Sequence, residues 1–290
     1  MTRYRSLFAV VLTLSLSACW PYLGDPYESY VDGSSGSDMS DVDRDELYLV
    51  GEVSWTEQRG EYWGEGSTDG DLVGGRAIVY VIDDGPRSAL ARWSGGDGNC
   101  QSASILSGNY EDALDVGDPA SILLSGREDV RLPWLEDSGF WGATIDQGTS
   151  LGHAGGYDMS TVETDFGPIG GVELITTPRR LTITSPDMTG TSPPSVGGSG
   201  LRLTWTNQAN VVLIAFTTVN GSGDAEETVY CGVSGSNDSF TLTLDDLPSL
   251  ATASYTVVEV GNVSNGSGVV GDGIVNDVAA IYWQVGAVVQ

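Results

Sequence analysis

The sequence predicts an all-β fold, on three observations. From Leu47 to the C-terminus, short runs rich in β-branched and aromatic residues are separated by clusters of Gly, Asp, Asn, Ser and Pro. No window keeps an apolar helical period over several turns. The chain also carries 40 glycines, which disfavour helix interiors.

In the first half, strands are predicted at 47–55, 76–83, 89–93, 121–124, 139–145 and 171–176. The run Ile78, Val79, Tyr80, Val81, Ile82 is apolar at every position, as a strand buried on both faces requires. Near Thr176 the texture changes to a Pro/Thr segment, 177–186, followed by Ser, Pro and Gly. A domain boundary is placed there, with 177–186 as a hinge. Beyond it seven strands are predicted, at 181–185, 201–206, 211–217, 228–233, 240–244, 254–263 and 279–288. Seven short strands are the number expected of an immunoglobulin-like sandwich. Within 201–206 the residues alternate: Leu201, Leu203 and Trp205 share the core face, and Arg202, Thr204 and Thr206 the wet one.

Ahead of the strands the composition differs. Residues 1–18 have a basic start at Arg3 and Arg5, an apolar run over 7–16, and small residues before Cys19, the pattern of a signal peptide. The apolar run is too short to span a hydrocarbon core that needs about 20 helical residues. Leu16, Ser17, Ala18 and Cys19 resemble the lipobox read by the lipoprotein-processing peptidase. That resemblance implies a Cys19 thioether to diacylglycerol, further acylation such as palmitate, and stable anchoring through more than one chain. Trp20, where an inner-membrane protein would carry Asp, points to the outer membrane. Residues 19–46 are rich in Asp, Ser, Gly and Tyr, cannot bury a core, and read as a disordered acidic tether. The expected organisation is therefore signal peptide (1–18), lipidated tether (19–46), a Gly-rich β domain (47–176) and a β-sandwich (177–290), the last two in tandem.

Charge limits the partners. There are 40 acidic and 12 basic residues, a net charge of −28. Such a surface repels phosphate backbones, so nucleic acid is excluded as a partner. Solubility alone accounts for the charge.

The C-terminal half carries a resemblance. The strand ending in Trp205-Thr206 resembles the second strand of a fibronectin type III domain with its core tryptophan, and Phe240, Leu242, Leu244, Leu247 and Tyr255 resemble that family's approach to its buried leucine and tyrosine. The whole chain is also similar to two-domain lipoproteins of Gram-negative bacteria, on its acidic tether, Gly-rich β domain, Pro/Thr hinge, strand ending in Trp-Thr, and Cys231 ahead of Ser239, Phe240 and Thr241. What the resemblance implies is architecture, with no activity or cofactor attached.

Candidate sites are sparse. His153 is the single histidine, which removes His-rich zinc sites and most catalytic triads. Gly148, Ser150 and Gly152 match a nucleophile elbow formally, but the Gly-rich run after them cannot start the helix the elbow needs. Asp41, Asp43, Asp45 and Glu52 imitate calcium-loop spacing, while Glu46 stands where that loop requires glycine. A solvated tether is the simpler reading of that run. Trp63 and Trp134, beside Gly and Pro, are the tryptophans expected to be exposed, and are the candidate platform for stacking a sugar. Cys100 and Cys231 remain after lipidation. They either bridge, as an oxidising compartment favours, or stay as two thiols. The function expected is that of a non-catalytic, membrane-anchored envelope lipoprotein with a structural role or an unidentified protein or glycan partner. The alternative is a secreted carbohydrate-binding protein or a carboxylate-dependent hydrolase.

Overall fold

The computed structural model describes residues 47–64, 66–83, 100–102, 113–117, 119–126, 129–135, 139–145, 155–196, 200–207, 211–266, 268–271 and 273–289. The predicted signal peptide, the tether and the strand at 89–93 lie outside them. The first half supplies β1 (Leu47–Gln58), β2 (Leu72–Asp83), β3 (Cys100–Ser102), β4 (Ile122–Ser125), β5 (Val130–Leu132), β6 (Trp134–Leu135), β7 (Phe140–Ile145), β8 (Gly156–Met159), β9 (Val162–Thr164), β10 (Gly167–Ile169) and β11 (Val172–Thr176). The second half supplies β12 (Thr182–Ser185), β13 (Leu201–Thr206), β14 (Val211–Val219), β15 (Ala225–Ser234), β16 (Ser239–Leu242), β17 (Tyr255–Asn265) and β18 (Val275–Val289), with one 3-10 turn at Pro248–Ala251.

All seven strands predicted for the second half are present. They form an immunoglobulin-like sandwich, with the three-stranded sheet β12-β13-β16 facing β15-β14-β17-β18. Leu181, Ile183, Leu201, Leu203, Trp205 and Leu242 meet Val212, Ile214, Phe216, Val229, Cys231, Val258, Val260 and Val288 between the layers. The alternation read from 201–206 is observed: Leu201, Leu203 and Trp205 are buried, while Arg202 and Thr206 are exposed.

The first half builds a second sandwich. The sheet β11-β8-β4-β5 covers β18, β1, β2 and β7. Trp55, Val79, Trp141, Leu124, Tyr157, Met159 and Ile175 fill its core together with Val278, Ala280 and Tyr282 of β18. The last three come from the other half of the chain. The apolar 78–82 run lies in β2, which pairs with β1 along its length and with β7 from Gly75 to Val79.

The two halves are not separated at 176. One nine-stranded sheet, ordered β3-β15-β14-β17-β18-β1-β2-β7-β6, runs through both. Its central joint is a parallel pairing of β1 with β18, from Tyr48 opposite Val275 to Gln58 opposite Val285. The predicted division at 176/177 therefore cuts through a shared sheet. A fragment beginning at 177 would leave β18 with a bare edge, and would expose the apolar side chains that β18 lends to the first core. The physical reason is length: β18 has 15 residues, far more than one sandwich of this size uses.

The predicted hinge is likewise held. Thr177 and Pro178 are buried, the Asn262 amide donates to the carbonyls of Arg179 (2.8 Å) and Asn207 (2.9 Å), and Ser264 Oγ donates to the carbonyl of Thr176. Further along, Met188 packs onto β18 at Gly286, where a Cβ would lie 2.2 Å from its sulfur. The segment is thus a strap fixed along the sheet.

Candidate functional site

Where the two cores meet on β18, the side chains turn polar. The register that places Tyr282 opposite Trp55 also places Gln284 opposite Glu57. Glu57 sits at a bulge, because the β1–β2 register shifts between Thr56 and Glu57, and such irregularities re-aim a side chain. Its carboxylate is buried, with the side chain only 1% exposed.

Four groups converge on it. Tyr282 donates its hydroxyl to Oε2 at 2.5 Å, the Gln284 amide donates to Oε1 at 3.2 Å, and Arg180 donates to Oε1. Arg59 lies 3.7 Å from Oε1 and 3.5 Å from Asp69, which makes it the bridge between the two carboxylates. Gln284 also accepts from the Ile183 amide at 3.1 Å, so the cluster reaches into β12 of the second sandwich. Arg180 comes from the strap, β1 brings Glu57, and β18 brings Tyr282 and Gln284. The strap, β1 and β18 are thus tied together at one carboxylate.

The electrostatics follow from burial. The Tyr282 phenol is pushed above its ordinary value, first by desolvation and then by the adjacent Glu57 carboxylate. Burial works against the Arg180 charge, but its hydrogen bond to Glu57 and the attraction of that carboxylate outweigh it, and the guanidinium is held above its ordinary value. Glu57 accepts three hydrogen bonds of the roughly four its lone pairs allow. A carboxylate so engaged is suited to fastening β1, β18 and the strap together, and poorly suited to taking a proton from a substrate.

On the opposite face of the large sheet is a second carboxyl of a different kind. Glu259, in β17, is 7% exposed, and burial pushes its carboxyl up to about 8, with Arg76 lowering it and Glu52 raising it. Glu52 is gripped at both oxygens by Arg76, at 3.2 and 2.9 Å.

The sequence-predicted residues fare differently. Cys19, Asp41, Asp43, Asp45, His153 and the 148–152 run lie outside the described residues. Glu52 is an ion-pair partner of Arg76 in β1, a place set by strand register. Among the described residues no group of three or more His, Cys, Asp or Glu is gathered to hold a metal.

The sugar platform is corrected. Trp63 is 4% exposed, packs with Tyr62 against β17 and β18, and donates its indole N–H to the Arg59 carbonyl at 2.8 Å. Gly60, in a left-handed conformation (φ 92°), turns the chain at the end of β1 and so brings those rings down onto the sheet. Trp134 is half-buried, its ring 4.8 Å from that of Trp141 at the rim of the first core. Cys100 and Cys231, left open by the sequence, are joined in a disulfide across the β3–β15 pair.

Sequence reasoning missed Glu57, Arg180, Tyr282 and Gln284. The available signal was a lone Gln284 inside the otherwise apolar run 278–288, and a lone Glu259 inside 255–260. An isolated polar residue in a strand buried on both faces marks a paired or neutralised group.

No established protein family and no curated protein matches the chain. Among solved structures it is similar to a tetra-tandem repeat in the extending region of a large adhesion protein, at 14% identity and a TM-score of 0.20 over 82% of this chain and 49% of that one. It is also similar to the FN1–FN3 domains of chicken CNTN1, at 10% identity and a TM-score of 0.21 over 82% of this chain and 63% of that one. The chain spans less than two thirds of either structure. The assignment to an all-β, fibronectin- or immunoglobulin-like sandwich rests on the strand order and layers of the chain itself.

Two substitutions separate the roles of the buried carboxyls. Glu57→Ala leaves Arg180, Tyr282 and Gln284 without their common acceptor and removes the carboxylate that Arg59 faces, and is expected to lower unfolding stability by on the order of 3–5 kcal/mol, as for a broken buried pair. Arg180→Ala, with its side chain 47% exposed, is expected to cost far less. Urea unfolding of the two variants checks this; equal losses would contradict it.

Glu259 gives a pH signature. Its carboxyl, at about 8 in the folded chain against an ordinary 4.5, binds more protons folded than unfolded between those values. Its contribution to stability is therefore complete below pH 4.5 and is lost as pH rises through 8. Glu259→Gln should match the natural chain at pH 4 and exceed it at pH 9 by on the order of a few kcal/mol. Parallel urea titrations at the two pH values test this, and an unchanged difference between them would contradict it.

Proposed function

We propose that the chain is a non-catalytic lipoprotein of the bacterial envelope, anchored through lipid on Cys19, whose folded body is a rigid binding or structural module. The observation that carries this reading is the Cys100–Cys231 disulfide. Disulfides persist in oxidising compartments outside the cytoplasm, where the signal peptide directs the chain. The bond also consumes two of the three cysteines, leaving Cys19, in its lipobox-like setting, as the thiol for acylation.

Rigidity is supported by the shared sheet, the strap and the buried Glu57 cluster, which together make two sandwiches into one body on an acidic tether. This fits the architecture of the two-domain Gram-negative lipoproteins that the sequence resembles, and Trp20 supports an outer-membrane destination. The partner is a protein or glycan met at the surface of that body. The hydrogen-bonded Glu57 and the clamped Glu52 speak against the hydrolase alternative, and the burial of Trp63 against a sugar platform that includes it.

Cys19→Ser is expected to abolish incorporation of labelled palmitate and to move the protein from the membrane to the soluble fraction. Retention of the variant on membranes through a high-salt wash would show that lipid is not its anchor.

A further inference from the structure

The three-stranded sheet of the second sandwich differs in charge from the other sheets. Its strands β12 (TITS), β13 (LRLTWT) and β16 (SFTL) carry no acidic residue. Each of the other sheets does: Asp158 of β8 lies opposite Glu173 of β11, β9 holds Glu163, and β1 holds Glu52 and Glu57. The acids nearest to the three strands in sequence, Asp187, Asp238 and Asp245, lie beyond the strand ends. In a chain of net charge −28, this is the sheet face least opposed to an anionic group.

The outer side of the sheet sets hydroxyls around one cation. Arg202 lies opposite Thr241, and Thr204 opposite Ser239. The hydroxyls of Thr184 and Thr204 share a hydrogen bond of 2.8 Å, and the exposed Thr206 continues the row. Leu201, Leu203 and Trp205 turn into the core, so β13 presents no large apolar side chain outward. Arg59, Arg76 and Arg180 are engaged by carboxylates, and Arg131 by the Ser121 hydroxyl. Arg202 is exposed and has no ion-pair partner among the described residues.

We propose that this face binds a sparsely charged acidic glycan, a polymer of sugars that carries isolated carboxylates, with Arg202 as the anion-binding group. This rests on the chain being the binding module proposed above, and names the class of its partner.

A guanidinium offers two parallel donors that fit the two oxygens of a carboxylate. Opposed residues on one face of a sheet stand about 5 Å apart and diagonal ones about 7–8 Å, so Thr241 and Ser239 are within reach of the sugar whose carboxylate meets Arg202. Their hydroxyls both donate and accept, as sugar hydroxyls do. A protein partner would find no aromatic anchor on this face, and protein interfaces centre on such anchors. A densely charged polyanion would meet a single cation on a body that repels it. The fitting ligand therefore carries separated carboxylates on an otherwise neutral chain. One such contact is weak, and its repetition along the polymer supplies avidity to copies anchored side by side.

The test uses the full chain carrying Cys19→Ser, isotope-labelled for amide NMR and titrated with a hyaluronan octasaccharide, in which a uronate alternates with a neutral sugar. The same oligosaccharide methyl-esterified at its carboxyls is the control. The acid form should shift the amides of β13 and β16. Esterification of the ligand, or Arg202→Gln in a chain of unchanged circular dichroism, should each weaken binding by about tenfold or more, and Arg202→Lys should recover only part of it. No shift in these strands, equal binding of acid and ester, or an Arg202→Gln chain that binds as well as its parent overturns the proposal. Tighter binding of polyglutamate overturns the choice of a glycan, and tighter binding of a heparin fragment the choice of sparse charge. A negative result here leaves the anchored reading standing, because release of Cys19→Ser from membranes tests that reading by itself.

Discussion

The parallel pairing of β1 with β18 is the contact on which the rest of the structure depends. It joins the first described strand to the last over the whole length of β1, and so closes the chain on itself. On one face of β18, Val278, Ala280 and Tyr282 belong to the core of the first sandwich and Val288 to that of the second. On the other face, Ile281 and Trp283 meet Leu213, Ala215, Tyr230 and Val263, while Val285 and Ala287 meet Tyr62 and Trp63. A strand that is core to two layers on one side and apolar on the other cannot be withdrawn without opening both halves.

Such a strand has a register problem. A slip of one residue against β1 would send every side chain to the opposite face. The polar cluster at the junction answers it: Glu57 finds Tyr282, Gln284 and Arg180 in a single alignment, and any other alignment would bury an unpaired carboxylate. We read the cluster as a device for specificity of alignment, placed where the two apolar cores leave a gap between them. The disulfide works at the far edge of the same sheet, binding a strand of the first half to the second. Centre and edge are thus fastened by different chemistry.

Much of the second sandwich was legible in the sequence because its strands are long and either alternate, as in 201–206, or are continuously apolar. In the first half, β1, β2, β4, β7 and β11 were legible for the same reason. The short strands β3, β5, β6, β8, β9 and β10 were not. They have two to four residues, and Pro168 lies within β10, so their pairing is decided by partners distant in sequence. The tandem division failed for a related reason: local texture at 177–186 signals a change of segment, but the parallel partner of β18 lies at the other end of the chain. The exposure expected of Trp63 failed because proximity to Gly and Pro describes the backbone and not what packs above it. Trp63 is folded back onto the sheet by the turn at Gly60. Of the buried cluster, only the odd polar residues in apolar runs were visible, with nothing to say which of them would meet.

The proposed role as a scaffold for contact rests on the folded body behaving as one unit. The most direct measurement is native-state hydrogen exchange across a urea series, following amides of β1 in the first half and of β14 in the second. If β18 truly unites the cores, both sets open with the same free energy and the same dependence on urea. If β1 exchanges through a smaller opening while β14 stays protected, the halves unfold separately, and the shared strand is not what holds them together.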